Sequence, residues 1–414
     1  MPLISPPSCT RLAPAPNYSS LPSAGEETIE FTPRGNSSLN NSITRSCSFM
    51  NVILKINAFS PSYEDIPTYG RGSTVHGEIG LKSSSLVLSV SVKLKGRLHL
   101  SISDSGSTTA TVVSESLQVW SQNPIRCDLC PGVLPFAVTF PQTFTTGERV
   151  LPIPPSFYET FYQHPAVTLD CRYMLKFTIH YGGSKMTFLK PSRSYSVQLN
   201  YRPRTRPQRP IYHLERFLLT VKQAPGDWLQ IESSIRVRPT ASADVRAVSC
   251  RFFIPSVGAF GLSDAIPFHI QLSSNLTSLR LMIPEDLPDK KRSRQVRVLI
   301  TRQIMVQVNT RKCWRTRILG EGIVRALPPP FALRPWNSGE DEEECIDWEG
   351  EVRCDHVEHG GFNVGSVIFK DYIVFVLTPP NARTCPLLMH QYSQPIKLVT
   401  DAWHDDLSHP ADTV

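Results

Sequence analysis

The chain has 414 residues, of which 40% are hydrophobic, and a formal net charge of +7. Its length exceeds what one ordinary core needs and predicts two domains with tails. Its 36 prolines, set between short apolar runs, favour an all-β chain over a helical one. The charge is too small and too dispersed to indicate nucleic acid, but it suits acidic partners such as phosphorylated tails or anionic lipid surfaces.

The first 48 residues are rich in Pro, Ser, Asn and Thr and are predicted to be disordered, because they cannot bury enough apolar surface to offset the entropy of ordering. They contain no continuous apolar stretch of signal-peptide length. The longest apolar run, Val367 to Leu377, is broken by Lys370 and Asp371, which argues against a membrane span. We therefore expect a cytoplasmic protein, with its ten cysteines reduced.

Ordered structure is expected to begin at Val52, and the strongest alternation follows at Leu86 to Ile102. Side chains in a strand point alternately to opposite faces, so this pattern predicts a long half-buried strand. Gly96 interrupts it at a predicted bulge or bend. The residues predicted to face inward are Leu86, Leu88, Val90, Val92, Leu94, Leu98, Leu100 and Ile102.

The stretch from Leu134 to Tyr181 reads as a strand (LPFAVTFP), a proline-braced crossing (LPIPPSFYETF) and a second long strand. The polar face of the second strand carries Asp170, Arg172 and Lys176. Such alternation predicts a half-buried antiparallel strand. Its predicted inward residues are Val167, Leu169, Cys171, Tyr173, Leu175, Phe177 and Ile179.

The segment from Tyr201 to Pro210 contains four arginines and three prolines, which predicts an extended connector. A second series of alternating segments follows it, interrupted by an acidic loop over 328–344. Short strands in two blocks predict an all-β fold of two tandem immunoglobulin-like sandwiches. The predicted organisation is a disordered tail over 1–48, sandwiches over 49–200 and 211–400 joined by the connector at 201–210, and a short tail over 401–414.

Several of these segments carry a family resemblance. LPFAVTFP, LPIPPSF and the alternating strand centred on Tyr173 resemble the second half of an arrestin N-terminal domain. The segments SVGAFGLSDAIPFHIQLSSNLTSLR, IDWEGEVRCDHVEHGGFNVGSVIFKDYIVFVLTPP and HQYSQPIKLVTDAW resemble the C-terminal domain of fungal arrestin-like proteins, the α-arrestins. The resemblance extends from about Val52 to Trp403 and implies two arrestin-like sandwiches.

The resemblance implies a non-enzymatic adaptor that binds cytoplasmic segments of membrane transporters or receptors, transiently at the plasma membrane or endosomes, and links them to ubiquitin-dependent endocytosis. Its ubiquitin-ligase partners would carry WW domains, which bind Pro-Pro-x-Tyr peptides. The chain lacks that motif; Pro154-Pro155-Ser156-Phe157 ends in phenylalanine, so packing is the better interpretation. Two alternatives stay open: a retromer-type or coat-type trafficking subunit, and an enzyme on a β-sandwich scaffold.

Catalytic and metal-binding motifs are missing from the sequence. It has no GxSxG, HExxH, P-loop or GxGxxG sequence, so we predict no enzymatic activity and no cofactor. Cys127 with Cys130, or Cys354 with His356 and His359, could be considered for a metal. Neither set supplies the two spaced ligand pairs of a structural zinc site, and buried thiols are the better interpretation of the first.

Basic clusters are the strongest functional candidates, because guanidinium groups bind phosphate bidentately. The alternative is that these arginines bond carbonyl groups at the domain interface or face the acidic loop. The connector cluster is Arg202, Arg204, Arg206 and Arg209. The second cluster is Lys290, Lys291, Arg292, Arg294 and Arg297, and the third is Arg311, Lys312, Arg315 and Arg317. The acidic candidates are Glu340, Asp341, Glu342, Glu343 and Glu344.

Overall fold

A computed structural model describes residues 26–29, 42–55, 66–123, 125, 128–182, 191–211, 217–284, 295–327 and 343–403. Most of these residues lie in strands and few lie in helices, which confirms the predicted all-β class. The helical elements are α1 (Phe217–Gln223), a 3-10 turn at Pro225–Asp227 and α2 (Leu276–Met282). Within the described ranges, no helix is long and apolar enough to cross a membrane.

Two sheets face each other in the N-terminal half, which we define as residues 42–201. The strands up to residue 207 are β1 (Glu26–Ile29), β2 (Ser42–Ser46), β3 (Met50–Lys55), β4 (Thr68–Tyr69), β5 (Thr74–Leu81), β6 (Val87–Ile102), β7 (Gly106–Ser121), β8 (Val133–Thr139), β9 (Thr143–Thr146), β10 (Arg149–Pro152), β11 (Phe157–Phe161), β12 (Val167–Tyr181), β13 (Ser192–Tyr201) and β14 (Arg204–Pro207). The larger sheet has the order β4-β13-β12-β6-β7, with β11 paired to β12, and the smaller has the order β2-β3-β5-β8. Strands β9 and β10 form a separate ribbon.

The inward face of β12 forms the centre of this sandwich. Every residue predicted to face inward, from Val167 to Ile179, is at most 1% exposed. Phe177 meets Phe136 of the opposite sheet edge-to-face, with ring centroids 5.4 Å apart. The Tyr173 ring lies against Gly96 of β6, where an added Cβ would come within 2.5 Å of Tyr173 Cε1. Gly96 therefore makes room for the ring, and the β6–β7 ladder shifts register at the same place, as the sequence predicted.

The C-terminal half, residues 217–403, contains a second pair of facing sheets. Its strands are β15 (Trp228–Ile235), β16 (Val248–Pro255), β17 (Ala259–Gly261), β18 (Ile266–Ser274), β19 (Val296–Val308), β20 (Arg311–Glu321), β21 (Ile323–Ala326), β22 (Glu344–Val352), β23 (Val367–Leu377) and β24 (His390–Val399). The sheet orders are β15-β16-β18-β22-β21 and β17-β24-β23-β19-β20. Phe252 of the first sheet stacks on Phe375 of the second at 5.5 Å, so the two sheets share a core.

The two halves also pack directly on each other. On the inward face of β19, Val298 and Ile300 belong to the C-terminal core, whereas Ile304 and Val306 belong to the core of the N-terminal half. Phe157 of β11 contacts Phe369 of β23 at 5.3 Å. Apart from the β1–β14 ribbon, each described sheet takes its strands from one side of the connector only. The contact between the halves is therefore made by side-chain packing and not by a shared sheet.

The prediction that residues 1–48 are entirely disordered is wrong in two places. Strand β2 pairs with β3 at an edge of the smaller sheet, and β1 pairs with β14 in the connector. Both are edge strands, which are held by backbone hydrogen bonds and need little apolar surface of their own, so composition missed them. The other positions before residue 42, and those after 403 in the predicted C-terminal tail, lie outside the described residues.

The predicted facing of the first residues of β6 is also wrong. Leu86 is 72% exposed and Leu88 is only partly buried, whereas Val87 is 2% exposed. The β6–β12 ladder shifts register between His180 and Tyr181, where Tyr181 pairs with Val87. A bulge reverses the alternation beyond it, and its position depends on the partner strand.

Candidate functional site

One connector arginine, Arg204, joins the connector to the end of the C-terminal half. Strand β14 places the Arg204 guanidinium on the Asp401 carboxylate, with Nε at 3.1 and 3.2 Å from its two oxygens and Nη2 at 2.6 Å from Oδ1. Burial alone would raise the pKa of Asp401, but hydrogen bonds from Arg204 and Thr400 outweigh it and hold that pKa below its usual value. Thr205 N donates to Thr400 Oγ1 at 2.9 Å beside this pair. Arg204 is therefore already neutralised by a carboxylate.

The other three connector arginines differ in exposure and in their neighbours. Arg202 is half-buried, and its backbone N–H donates to the Tyr69 carbonyl at 2.8 Å. Arg206 is half-buried and lies opposite Glu27 in the β1–β14 ladder. Arg209 is exposed and lines a small cleft with Trp228. The structure thus pairs Arg204 with a carboxylate, as the interface alternative expects, and gives Arg202, Arg206 and Arg209 different neighbours.

Strand β20 uses its arginines to contact the N-terminal half. Arg311 Nη2 lies 2.7 Å from Asp104 Oδ2, and Arg317 Nη1 lies 2.9 Å from Glu159 Oε1. Arg315 donates to the backbone carbonyls of Gln163, at 3.2 Å, and Pro165. These three residues therefore bond groups of the N-terminal half, as the interface alternative expects. Lys312 is exposed.

Some predicted site residues cannot be placed. Lys290, Lys291, Arg292 and Arg294, and the acidic residues Glu340, Asp341 and Glu342, lie outside the described residues. Glu343 is exposed and Glu344 begins β22. Arg297, the one member of the second cluster among the described residues, is paired in bidentate fashion with Glu321 at 2.6 and 2.9 Å.

A buried polar centre that the sequence analysis missed lies where the two cores meet. Arg302 takes an inward position on β19 between Ile300 and Ile304, and its Nε donates to Asp371 of β23 at 2.6 Å. Its Nη2 donates to the backbone carbonyl of His359 at 3.0 Å. Burial, and then the charge of Arg302, lowers the pKa of His359 to about 3. The signal in the sequence was Arg302 itself, a charged residue at an inward position of a strand whose other inward residues are apolar.

A cleft of about 80 Å³ opens between the halves beside His359. Arg71 of the N-terminal half and Lys397 of the C-terminal half both line it, and no aspartate or glutamate is among its lining residues. Burial lowers the pKa of Lys397 to about 8. The cleft thus brings together one basic side chain from each half.

The outer face of the larger N-terminal sheet carries a second group of cations. We call this group the basic sheet face; it consists of Lys93, Lys95 and Arg97 of β6 and Arg172 and Lys176 of β12. The ladder sets Lys93 opposite Lys176 and Arg97 opposite Arg172. Only Asp170 offers a counter-charge among the described residues, at 2.8 Å from Arg172 Nε. The alternation along each strand was visible in the sequence, but the register that joins the two strands was not.

Strand β7, beside the basic sheet face, ends the larger sheet. It is 16 residues long and pairs with β6 on one side, and no described strand pairs with its other side. Its sequence, GSTTATVVSESLQVWS, contains no proline and a single charged residue, Glu115. Such an edge leaves backbone N–H and C=O groups free to pair with another extended chain.

Nothing in the described ranges groups three or more His, Cys, Asp or Glu side chains where they could hold a metal ion. Cys354 is partly buried, and burial raises the pKa of its thiol to about 12. Cys127 lies outside the described residues. A scan against models of known protein families found none that matches the chain, and a search of curated proteins found no relative.

Proposed function

We propose that the chain is a non-enzymatic adaptor of the arrestin-like kind. It binds cytoplasmic segments of membrane transporters or receptors and links them to ubiquitin-dependent endocytosis and trafficking. The proposal is supported by the resemblance of its sequence segments to α-arrestins and by an all-β fold whose two halves pack together through apolar and ionic contacts. Scaffolds of this kind act through their surfaces, so the function must be argued from a surface.

The free edge of β7 is the observation that carries this proposal. An extended peptide can add to a sheet edge, where its backbone supplies affinity and its alternate side chains supply specificity. Edges that are not used for binding are commonly blocked by lysine, proline or short length. Strand β7 has none of these three features over its 16 residues, although its ladder with β6 shifts register at two places, after Val90 and after Gly96.

The ionic contacts of the arginine clusters favour peptide binding at the β7 edge over phosphate binding by these arginines. Arg204, Arg311 and Arg317 each have a carboxylate partner within the chain. Recognition of a cargo phosphate by these three would require breaking the contact of Arg204 with Asp401, or the contacts of Arg311 and Arg317 that join the two halves. Backbone pairing at β7 needs no such rearrangement.

Affinity purification with mass spectrometry tests the proposed function. Recovery of transporters or receptors together with a ubiquitin ligase is the expected result. Recovery of coat or retromer subunits without transporters would contradict it. Hydrogen–deuterium exchange then tests the edge: cytoplasmic segments of the captured proteins, added as synthetic peptides, should slow exchange in residues 106–121. Unchanged exchange there, with slowing elsewhere, would reject β7 as the binding edge.

A further inference from the structure

The basic sheet face concentrates like charges where the fold gains nothing from them. Lys93 and Lys176 are direct cross-strand neighbours, as are Arg97 and Arg172. Like charges directly opposite each other destabilise a sheet. Desolvation, and then the charges of Arg97, Lys93 and Lys176, lowers the pKa of Lys95. Repulsion between these like charges therefore lowers the stability of the fold. Binding of an anionic partner would explain why the charges are present.

The cations of this face are available to a partner. Arg97, Arg172 and Lys176 are exposed, and Lys93 and Lys95 are half-exposed. In the described part of the chain, only Arg172 of the five has a carboxylate partner. The face thus has five positive charges and one negative charge, that of Asp170. The basic sheet face differs in this respect from the connector and β20, where Arg204, Arg311 and Arg317 each have a carboxylate partner.

The cross-strand neighbours of the three lysines on β7 and β13 are short. Short hydroxyl side chains flank the lysines, with Ser116 opposite Lys93, Ser114 opposite Lys95 and Ser196 opposite Lys176. From Lys93 to Arg97 the strand advances only about 13 Å, and β6 and β12 lie about 5 Å apart. The five cations therefore lie close together on one face of the sheet, where an extended anionic surface could contact several of them at once.

A peptide at the β7 edge would not reach the same charges as easily. Such a peptide would lie about 10 Å from β6, two strand spacings away. The basic sheet face and the peptide edge are thus neighbouring surfaces with different geometry. We infer that the basic sheet face binds the anionic surface of a lipid bilayer. Clusters of four to eight lysines and arginines are typical of binding to acidic lipids. The inference does not depend on the proposed peptide binding at β7.

Vesicle co-sedimentation of the full chain tests the inference, with phosphatidylcholine vesicles that either contain or lack phosphatidylserine. Binding is expected only to the vesicles with phosphatidylserine, and it should weaken steeply as salt is raised because exposed charges are screened. Replacing Lys93, Lys95 and Lys176 together by Gln should lower the partition coefficient about a hundredfold, since each surface charge contributes about fivefold. The variant should remain folded, because the change removes like-charge repulsion.

The matched control replaces Lys82, Lys222 and Arg383 by Gln. These three residues are exposed and lie outside the face, so the net charge falls by the same amount. The control should keep most of its vesicle binding, and Lys→Arg replacements at the three face positions should keep it too. Equal losses in the Gln variant and the control would overturn the inference. So would unchanged vesicle binding combined with lost binding of an acidic peptide, which would assign the face to a protein partner. Peptide protection of residues 106–121 in the Gln variant reports on the proposed adaptor function separately.

Discussion

Arg302 and Asp371 form a salt bridge from which solvent is almost entirely excluded: the two side chains are 3% and 0% exposed, and Nε lies 2.6 Å from Oδ1. The pair sits between the two cores, since its β19 neighbours Ile300 and Ile304 belong to different clusters. A buried ion pair need not add net stability over apolar residues of the same volume, but removing one partner leaves a charge that cannot reach water. The pair therefore restricts how the two halves can pack.

Replacing Asp371 by Asn should destabilise the protein by about 3–5 kcal/mol, because Arg302 keeps its buried charge without a counter-charge. Replacing Arg302 by Met and Asp371 by Leu together should cost much less than either single change. Urea unfolding at neutral pH measures these differences. Arg317→Gln is the control, since it removes a more exposed pair and should cost under about 1 kcal/mol. Equal effects of Asp371→Asn and Arg317→Gln would contradict the argument.

His359 should make stability fall in acid. Its pKa is lowered to about 3 in the folded protein, whereas the ordinary value is 6.5. Between these values the unfolded chain binds a proton that the folded chain excludes, so stability decreases as pH falls, by up to about 1.4 kcal/mol per pH unit from this one group. Above about pH 6.5 the contribution is constant.

The measurement compares urea unfolding of the protein and its His359→Gln variant at several pH values from 7 to 4. Carboxylates elsewhere titrate in both proteins, so the difference between the two curves isolates His359. The variant should show the shallower dependence. Two parallel curves would mean that His359 takes up its proton in the folded state.

Gly96 should not tolerate a side chain. A Cβ there would come within 2.5 Å of the Tyr173 ring, which is fully buried and held by a hydrogen bond from its hydroxyl to the Pro154 carbonyl at 2.5 Å. Gly96→Ala should therefore cost about 1–3 kcal/mol, as overpacking does. Gly132→Ala is the matched control, because nothing lies within 4 Å of its added Cβ. Thermal unfolding compares them, and similar melting temperatures would show that the ring can move aside.

Strand β12 shows how much of the fold could be predicted from the sequence. Its inward face was assigned without error because alternation is a local property of one strand. The start of β6 was assigned wrongly because its facing depends on a register shift against Tyr181, which the sequence of β6 does not contain. Pairing between strands is set by the whole sheet.

The candidate sites were harder to predict for a related reason. The arginine clusters were visible, but the carboxylates that neutralise them are far away in sequence: Asp401 is 197 residues from Arg204, and Glu159 is 158 residues from Arg317. The basic sheet face was not predicted, because its cations come from two distant segments of the sequence. Lys93 and Lys176 are far apart in sequence, and only the β6–β12 register makes them neighbours.

For the connector arginines, an interface role and a phosphate-binding role predict opposite effects of Arg→Gln changes on stability and on vesicle binding. Arg204→Gln should lower stability by about 1–2 kcal/mol, because the partly buried Asp401 loses its charged hydrogen bonds. Arg209→Gln should leave the melting temperature unchanged, since Arg209 is exposed. Neither change should affect binding to vesicles that contain phosphatidylserine, because the basic sheet face remains intact. If Arg204→Gln leaves the melting temperature unchanged and abolishes vesicle binding, the Asp401 contact is not structural and the connector is the lipid site.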